Sequence, residues 1–162
     1  MSEFLDIVDT NDQVIGKASR EDIYANRHTH RIVHAFIFNS AGRMALQLRS
    51  RNSPFCPLHW STTVGGHVQS SETYEEAALR ECKEEIGALI PLTFLAKDFY
   101  TAPNRPDKFL TTFKAVYDGP LEPNPEEVEE IRYFEMGTIR DMVKNGEKFH
   151  PELLFLLKKH YS

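Results

Sequence analysis

The chain has 162 residues, 41% of them hydrophobic, with 19 basic and 24 acidic side chains and a formal net charge of −5. That is the size of one domain with a sufficient core of its own, and the acidic balance argues against a nucleic-acid polymer as partner, because such binders carry a basic excess. The two cysteines, Cys56 and Cys82, make no disulfide scaffold; residues 1–4 (MSEF) hold no apolar leader and no apolar run is long enough to span a membrane, so the expected setting is the cytoplasm.

The expected organisation is a single domain over 1–162, with 1–27 as an N-terminal extension packed on it. Within that extension Phe4 to Val8 is a short apolar segment. Thr10-Asn11-Asp12 signals a turn, and Val14-Ile15 follows. Ser19, with Glu21 and Asp22 behind it, opens a short helix. Residues 32–38 (IVHAFIF) are almost continuously apolar and rich in β-branched and aromatic side chains, which predicts a strand covered on both faces. After a turn at 39–42 (NSAG), Met44, Leu46 and Leu48 alternate with Ala45 and Gln47, as in a hairpin partner. Pro54 and Pro57 mark 51–59 as loop, and Trp60 to Val64 reads as a brief strand. Residues 73–86 give the clearest helix, opened by a Thr73/Glu76 capping box and stopped by Gly87. Strands are predicted at Phe109 to Tyr117 and Ile131 to Phe134, and helices at 137–145 and 151–160, with Pro151 in the first turn of the last. The sum is a mixed sheet with helices, an α/β (α+β) domain.

The 73–86 helix carries the chemistry. At about 100° per residue, Ala78, Leu79, Cys82 and Ile86 share an arc that should face the core. Glu81, Glu84 and Glu85 fall on the neighbouring arc at spacings of three and four, which bring side chains together. Two readings fit. The three carboxylates hold Mg²⁺ or Mn²⁺, hard cations that prefer such oxygens, or they form a solvated acidic face with Arg80 and Lys83 as partners.

The flanks bear on that choice. Residues 66–88 (GHVQSSETYEEAALRECKEEIGA) are similar to the Nudix box, Gly-x5-Glu-x7-Arg-Glu-U-x-Glu-Glu-x-Gly-U, where U is apolar, with each specified position in register. The resemblance extends over about residues 30–135. It implies an α/β/α sandwich with a mixed β-sheet, and metal-dependent hydrolysis of a diphosphate linkage in a nucleoside-diphosphate-like or other small organic substrate. It implies Glu81, Glu84, Glu85 and the Gly65 carbonyl as ligands of Mg²⁺ or Mn²⁺. Arg80 would orient a carboxylate by ion pairing, and Glu72 would fix the loop onto the helix or join the metal through water. Gly66 and Gly87 would serve backbone conformation. For the base that activates water, Glu84 ranks first, then Glu81 and a carboxylate of the 126–130 run, where Glu127 is the best match.

A second likeness competes with the first. The segment before residue 32, Arg49-Ser50-Arg51 and Trp60 to His67 resemble isopentenyl-diphosphate isomerase, of the same superfamily. That chemistry needs a cysteine where this chain has Gly65, since Cys56 lies earlier in the Pro-rich loop. His28, His30 and His67 would then belong to a second metal centre or contact phosphates. They read equally as ordinary polar side chains at a strand start, and His34 reads as a hydrogen-bonded core histidine. Arg49 and Arg51 share a strand face, where guanidinium forks suit phosphate oxygens, or they line a solvent edge. Phe99, Tyr100 and the loop 101–108 are either a specificity lip or a surface turn. A nucleotide-binding module without turnover is the third alternative, and enzymes of this size are commonly dimers, so a homodimer stands beside a monomer.

Overall fold

A computed structural model describes residues 3–162; Met1 and Ser2, part of the expected extension, lie outside the described residues. The central strand is β3 (His30–Phe38), and the interior residues of the expected apolar run are all buried. Successive side chains of a strand point to opposite faces, and β3 feeds two separate cores in this way. Ile32 and Phe36 pack with Leu153, Leu156 and Leu157, while Val33, Ala35 and Ile37 pack with Ala78, Cys82 and Ile86. The first set of partners belongs to α4 (Pro151–His160), and α3 (Met136–Lys144) adds Ile139 and Met142 to it. The second set belongs to α2 (Tyr74–Ile86). Helices thus cover both faces of one sheet, the α/β/α sandwich expected from the resemblance.

The sheet is mixed. β3 runs parallel to β8 (Lys108–Val116) over its whole length, from His30 opposite Lys108 to Phe38 opposite Val116. It is antiparallel to β6 (Val64–His67), and β7 (Thr93–Tyr100) closes the far edge against β8. β4 (Met44–Arg49) meets β3 at a single pair, Phe38 and Met44; its long partner is β9 (Val128–Phe134), and β5 (Trp60–Ser61) pairs with it at Gln47 and Leu48. The expected hairpin is therefore only a corner. β4 is also buried on both faces from Met44 to Gln47, with Met44 and Leu46 in the α4 core.

Other departures follow from packing. The brief strand expected over Trp60 to Val64 is two strands, β5 and β6, separated by buried Thr62 and Thr63. β7 was not expected: its exposed Phe94 and Phe99 hide the strand period. On α2, Leu79 is 39% exposed, whereas Ala77 and Glu85 are buried. The buried residues are 77, 78, 82, 85 and 86, so one of the three carboxylates faces inward. The caps are as read: Thr73 Oγ1 and Glu76 exchange bonds with each other's backbone N–H, and Gly87 ends the helix at φ 63°.

The first residues form a hairpin of β1 (Phe4–Val8) and β2 (Val14–Ser19), followed by α1 (Arg20–Ala25), whose N-cap is Ser19. It is tied to the rest through Val8 N to Thr29 O at 3.0 Å and Ser70 N to Phe4 O at 2.8 Å. In its turn, buried Asp12 accepts from Arg31 Nε at 2.7 Å and from Tyr74 OH and Lys97 Nζ at 2.8 Å. Among the described residues, no helix is long and apolar enough to cross a membrane.

Candidate active site

A cavity of about 800 Å³ opens between α1, α2, the ends of β3 and β4, and the loops at 50–59 and 101–107. That volume suits a small organic molecule. One wall is acidic: Glu81, Glu84 and Glu85 from α2, with Glu126 and Glu127 from the segment before β9. The loop from β6 lays Gly65 and Gly66 against the same wall. At Gly66 a Cβ would overlap the Glu81 carboxyl group, so glycine lets the backbone and that carboxylate lie together without either moving.

Arg80 is the hub of the wall. Its Nε and Nη2 fork onto Glu72 at 2.7 and 2.9 Å, Nη2 also reaches His67 O, and Nη1 donates to Glu81 Oε1 at 2.8 Å and Glu84 Oε2 at 3.2 Å. Glu72 also accepts from Gln69 N at 2.8 Å, so it clamps the loop onto the helix. Glu85 is only 5% exposed; Gln47 Nε2 donates to its Oε1 at 2.7 Å. Burial, the bond with Glu81 and the charges of Glu81 and Glu127 push its carboxyl well above the usual range. Burial also raises Glu81, despite its bonds with Glu85 and Arg80, and burial with the charges of Glu81 and Glu84 raises Glu127.

These carboxylates form a repelling set of hard oxygens held together by the fold, and a divalent cation fits that chemistry. They do not already converge: among the described residues, no three His, Cys, Asp or Glu side chains are gathered about one point, because Glu81 and Glu84 are drawn to Arg80.

The floor of the cavity is built differently. His34 lies under Gly65, whose Cβ position would be 3.0 Å from its Nδ1. Thr62 Oγ1 gives its one hydrogen to Val64 O, so at 2.7 Å it accepts from His34 Nδ1. Nε2 faces Glu152 Oε1 at 2.8 Å, and Lys108 Nζ donates to Oε2 at 2.9 Å. Burial would push the Glu152 carboxyl up, but the His34 bond and the Lys108 charge outweigh it and hold it well below the usual range.

The remaining expected residues separate. Arg49 ends β4 and lines the cavity. Arg51 lies past the strand end, its side chain 68% exposed and paired with Glu129 at 3.2 Å, so the two do not share a face. His67 lines the cavity and hydrogen-bonds Tyr24 OH at 2.7 Å, and burial lowers its pKa well below the ordinary value. His30 is 0% exposed and not a wall residue; it stacks on His67 with ring centroids 5.6 Å apart, and burial pulls its pKa down to about 4. His28 precedes β3 and offers its carbonyl to His30 Nδ1 at 2.9 Å. Phe99 and Tyr100 end β7 rather than form a lip. Arg105 and Lys108, which line the cavity, entered the sequence reasoning only as members of the loop 101–108, and Glu152 and Tyr24 were not singled out. Gln47 left a trace, as the one polar residue among the buried positions of β4.

The glycine loop and the capped glutamate helix thus share one cavity of an α/β/α sandwich. The profile of the NUDIX domain matches residues 28–157, and the chain belongs to the Nudix family. An uncharacterized Nudix hydrolase of Nostoc sp. is 32% identical, over 99% of this chain and 96% of that protein. One from Yersinia pestis is 35% identical, over 94% and 82%. The crystal structure of DR0079 from Deinococcus radiodurans superposes with a TM-score of 0.86 at 29% identity, covering 99% of this chain and 100% of that one. The Nostoc and Yersinia relatives carry hydrolase names, and residue 65 is a glycine with no thiol to offer isomerase chemistry.

Proposed function

We propose that the protein is a Mg²⁺- or Mn²⁺-dependent hydrolase of a diphosphate linkage in a small organic or nucleoside-diphosphate-like substrate. The observation that carries this is the acidic wall. Glu81, Glu84, Glu85 and Glu127 border one cavity and, with burial, hold carboxyl groups of that wall above their usual range. The protein keeps this unfavourable arrangement where a cation would relieve it. Glu81, Glu84, Glu85 and the Gly65 carbonyl would hold the ion. It would supply charge neutralisation of the diphosphate and acidify a bound water.

The chain's own groups do the rest. Arg80 and Glu72 fix the loop against the helix and set the Glu81 and Glu84 carboxylates. Glu84, at the exposed rim of the wall, takes the proton of the attacking water, with Glu127 as the second carboxylate in reach of the cavity. Arg49 meets phosphoryl oxygens, and His67 borders the same space. The free thiols of Cys56 and Cys82 suit a reducing, cytoplasmic setting.

The test is a panel of diphosphate compounds with Mg²⁺ and with chelator, followed for phosphate release and for double-bond isomerisation. Release is expected only with metal, and Glu84→Gln should lower it by about a hundredfold or more. Metal-independent release, or isomerisation without release, would refute the reading.

A further inference from the structure

The cavity has a second end, and it is cationic. Arg105, from the loop between β7 and β8, places its guanidinium 4.1 Å from the Phe55 ring centroid and 5.4 Å from that of Tyr24. Arg49 donates from Nε to the carbonyl of the same Phe55 at 3.0 Å. All four residues line the cavity. Among the described residues, the other cavity arginines have carboxylate partners: Arg20 has Glu3 and Arg80 has Glu72. Arg49 and Arg105 have none, being held by a carbonyl and by rings. In an acidic protein, two cavity guanidiniums with no ion-pair partner among the described residues leave donor N–H groups free for a ligand.

The surroundings select among ligands. Phe55 also meets His150 in a T-shaped contact at 5.4 Å, and Tyr24 packs on His30 and His67 as well as Arg105. Rings so occupied offer little face for a nucleobase to stack on. One loop residue holds both cations, since Arg49 bonds the Phe55 carbonyl and Arg105 lies over the Phe55 ring. Lys108 is already neutralised by Glu152.

We propose that Arg105, with Arg49 beside it, forms a second anion subsite, so that the preferred substrate carries a further phosphoryl group on the organic part attached to the scissile diphosphate. The inference rests on the diphosphate-hydrolase reading for the identity of the other end. Guanidinium forks match a phosphoryl group's oxygens better than a single charge does, and the rings hold Arg105 in place before the ligand arrives, which reduces the ordering cost.

Binding and turnover are read separately. Calorimetry with Mg²⁺ compares butyl, 4-carboxybutyl and 4-phosphobutyl diphosphates whose bridging oxygen is replaced by CH₂; hydrolysis is measured on the parent esters. The phosphobutyl analogue should bind about tenfold tighter than the butyl one or better. Arg105→Ala should remove most of that ratio, and Arg105→Lys should restore part of it, with thermal melts showing that both variants fold. Equal affinities for butyl and phosphobutyl analogues, a preference for the carboxybutyl analogue, or an equal loss for all three in Arg105→Ala would overturn the proposal. Cleavage of the esters with a flat affinity ratio would sink the subsite and leave the hydrolase reading standing. A steep ratio without cleavage of any ester would do the reverse.

Discussion

Glu85 and Glu152 are both 5% exposed and border the same cavity, yet their carboxyl groups are driven in opposite directions. Glu152 has His34 on one oxygen and Lys108 on the other. Glu85 has the neutral Gln47 amide and a bond with the like-charged Glu81, and no cation. Equal burial therefore says little about a charged group; its neighbours decide whether it stabilises the fold or strains it. The floor is a satisfied ion cluster joining β3, β8 and α4. The wall is only partly neutralised: Arg80 pairs with Glu81 and Glu84, while Glu85 has no cationic partner among the described residues.

The largest expected effect separates the two glutamates by stability. Glu152→Ala leaves Lys108 buried and unpaired and should cost about 3–5 kcal/mol in urea unfolding. Glu85→Gln, in chelator, should leave stability unchanged or raise it by about 1 kcal/mol, because the amide can keep the Gln47 bond and donate to Glu81. Equal losses in both variants would break the comparison. Next comes Gly66→Ala. The new methyl displaces the Glu81 carboxylate, the end of a flexible side chain, so turnover should fall about tenfold or more while the melting temperature moves little. A large drop in melting temperature with normal turnover would count against the wall as a catalytic surface.

Asp12 offers a third buried carboxylate for the comparison. Burial would raise it, but bonds from Lys97, Arg31 and Tyr74 together hold it below its ordinary value. A carboxyl with a lowered folded-state pKa contributes stability above its unfolded pKa and loses it as pH falls through the folded one. The stability difference between wild type and Asp12→Asn should thus be constant above about pH 5 and close below about pH 4. A difference that widens on acidification would reverse the assignment. The smallest effect is a control: Arg51→Ala, on the exposed side away from the cavity, should keep kcat/KM within about twofold of wild type.

The elements legible in the sequence were those with local causes. The capping box at Thr73 and Glu76, the left-handed stop at Gly87 and the Ser19 cap are short-range hydrogen-bond or backbone effects, and they stand where the residues place them. The double-sided burial of β3 was legible from its unbroken apolar run. β7 was not, because an edge strand with two exposed phenylalanines has no clean period of two. The separation of Arg49 from Arg51 was also hidden, since it depends on where β4 stops.

By itself the sequence determined the family, the helix that bears the glutamates and the spacing that sets them side by side, because each is written in neighbours a few positions apart. Only the tertiary structure decided which glutamate turns inward, that Glu152 meets His34 across 118 positions, and that Arg105 reaches Phe55 and Tyr24. Those facts depend on how separate layers stack. Burial and opposing charge act through space, and a linear pattern carries no record of which distant side chain will supply them.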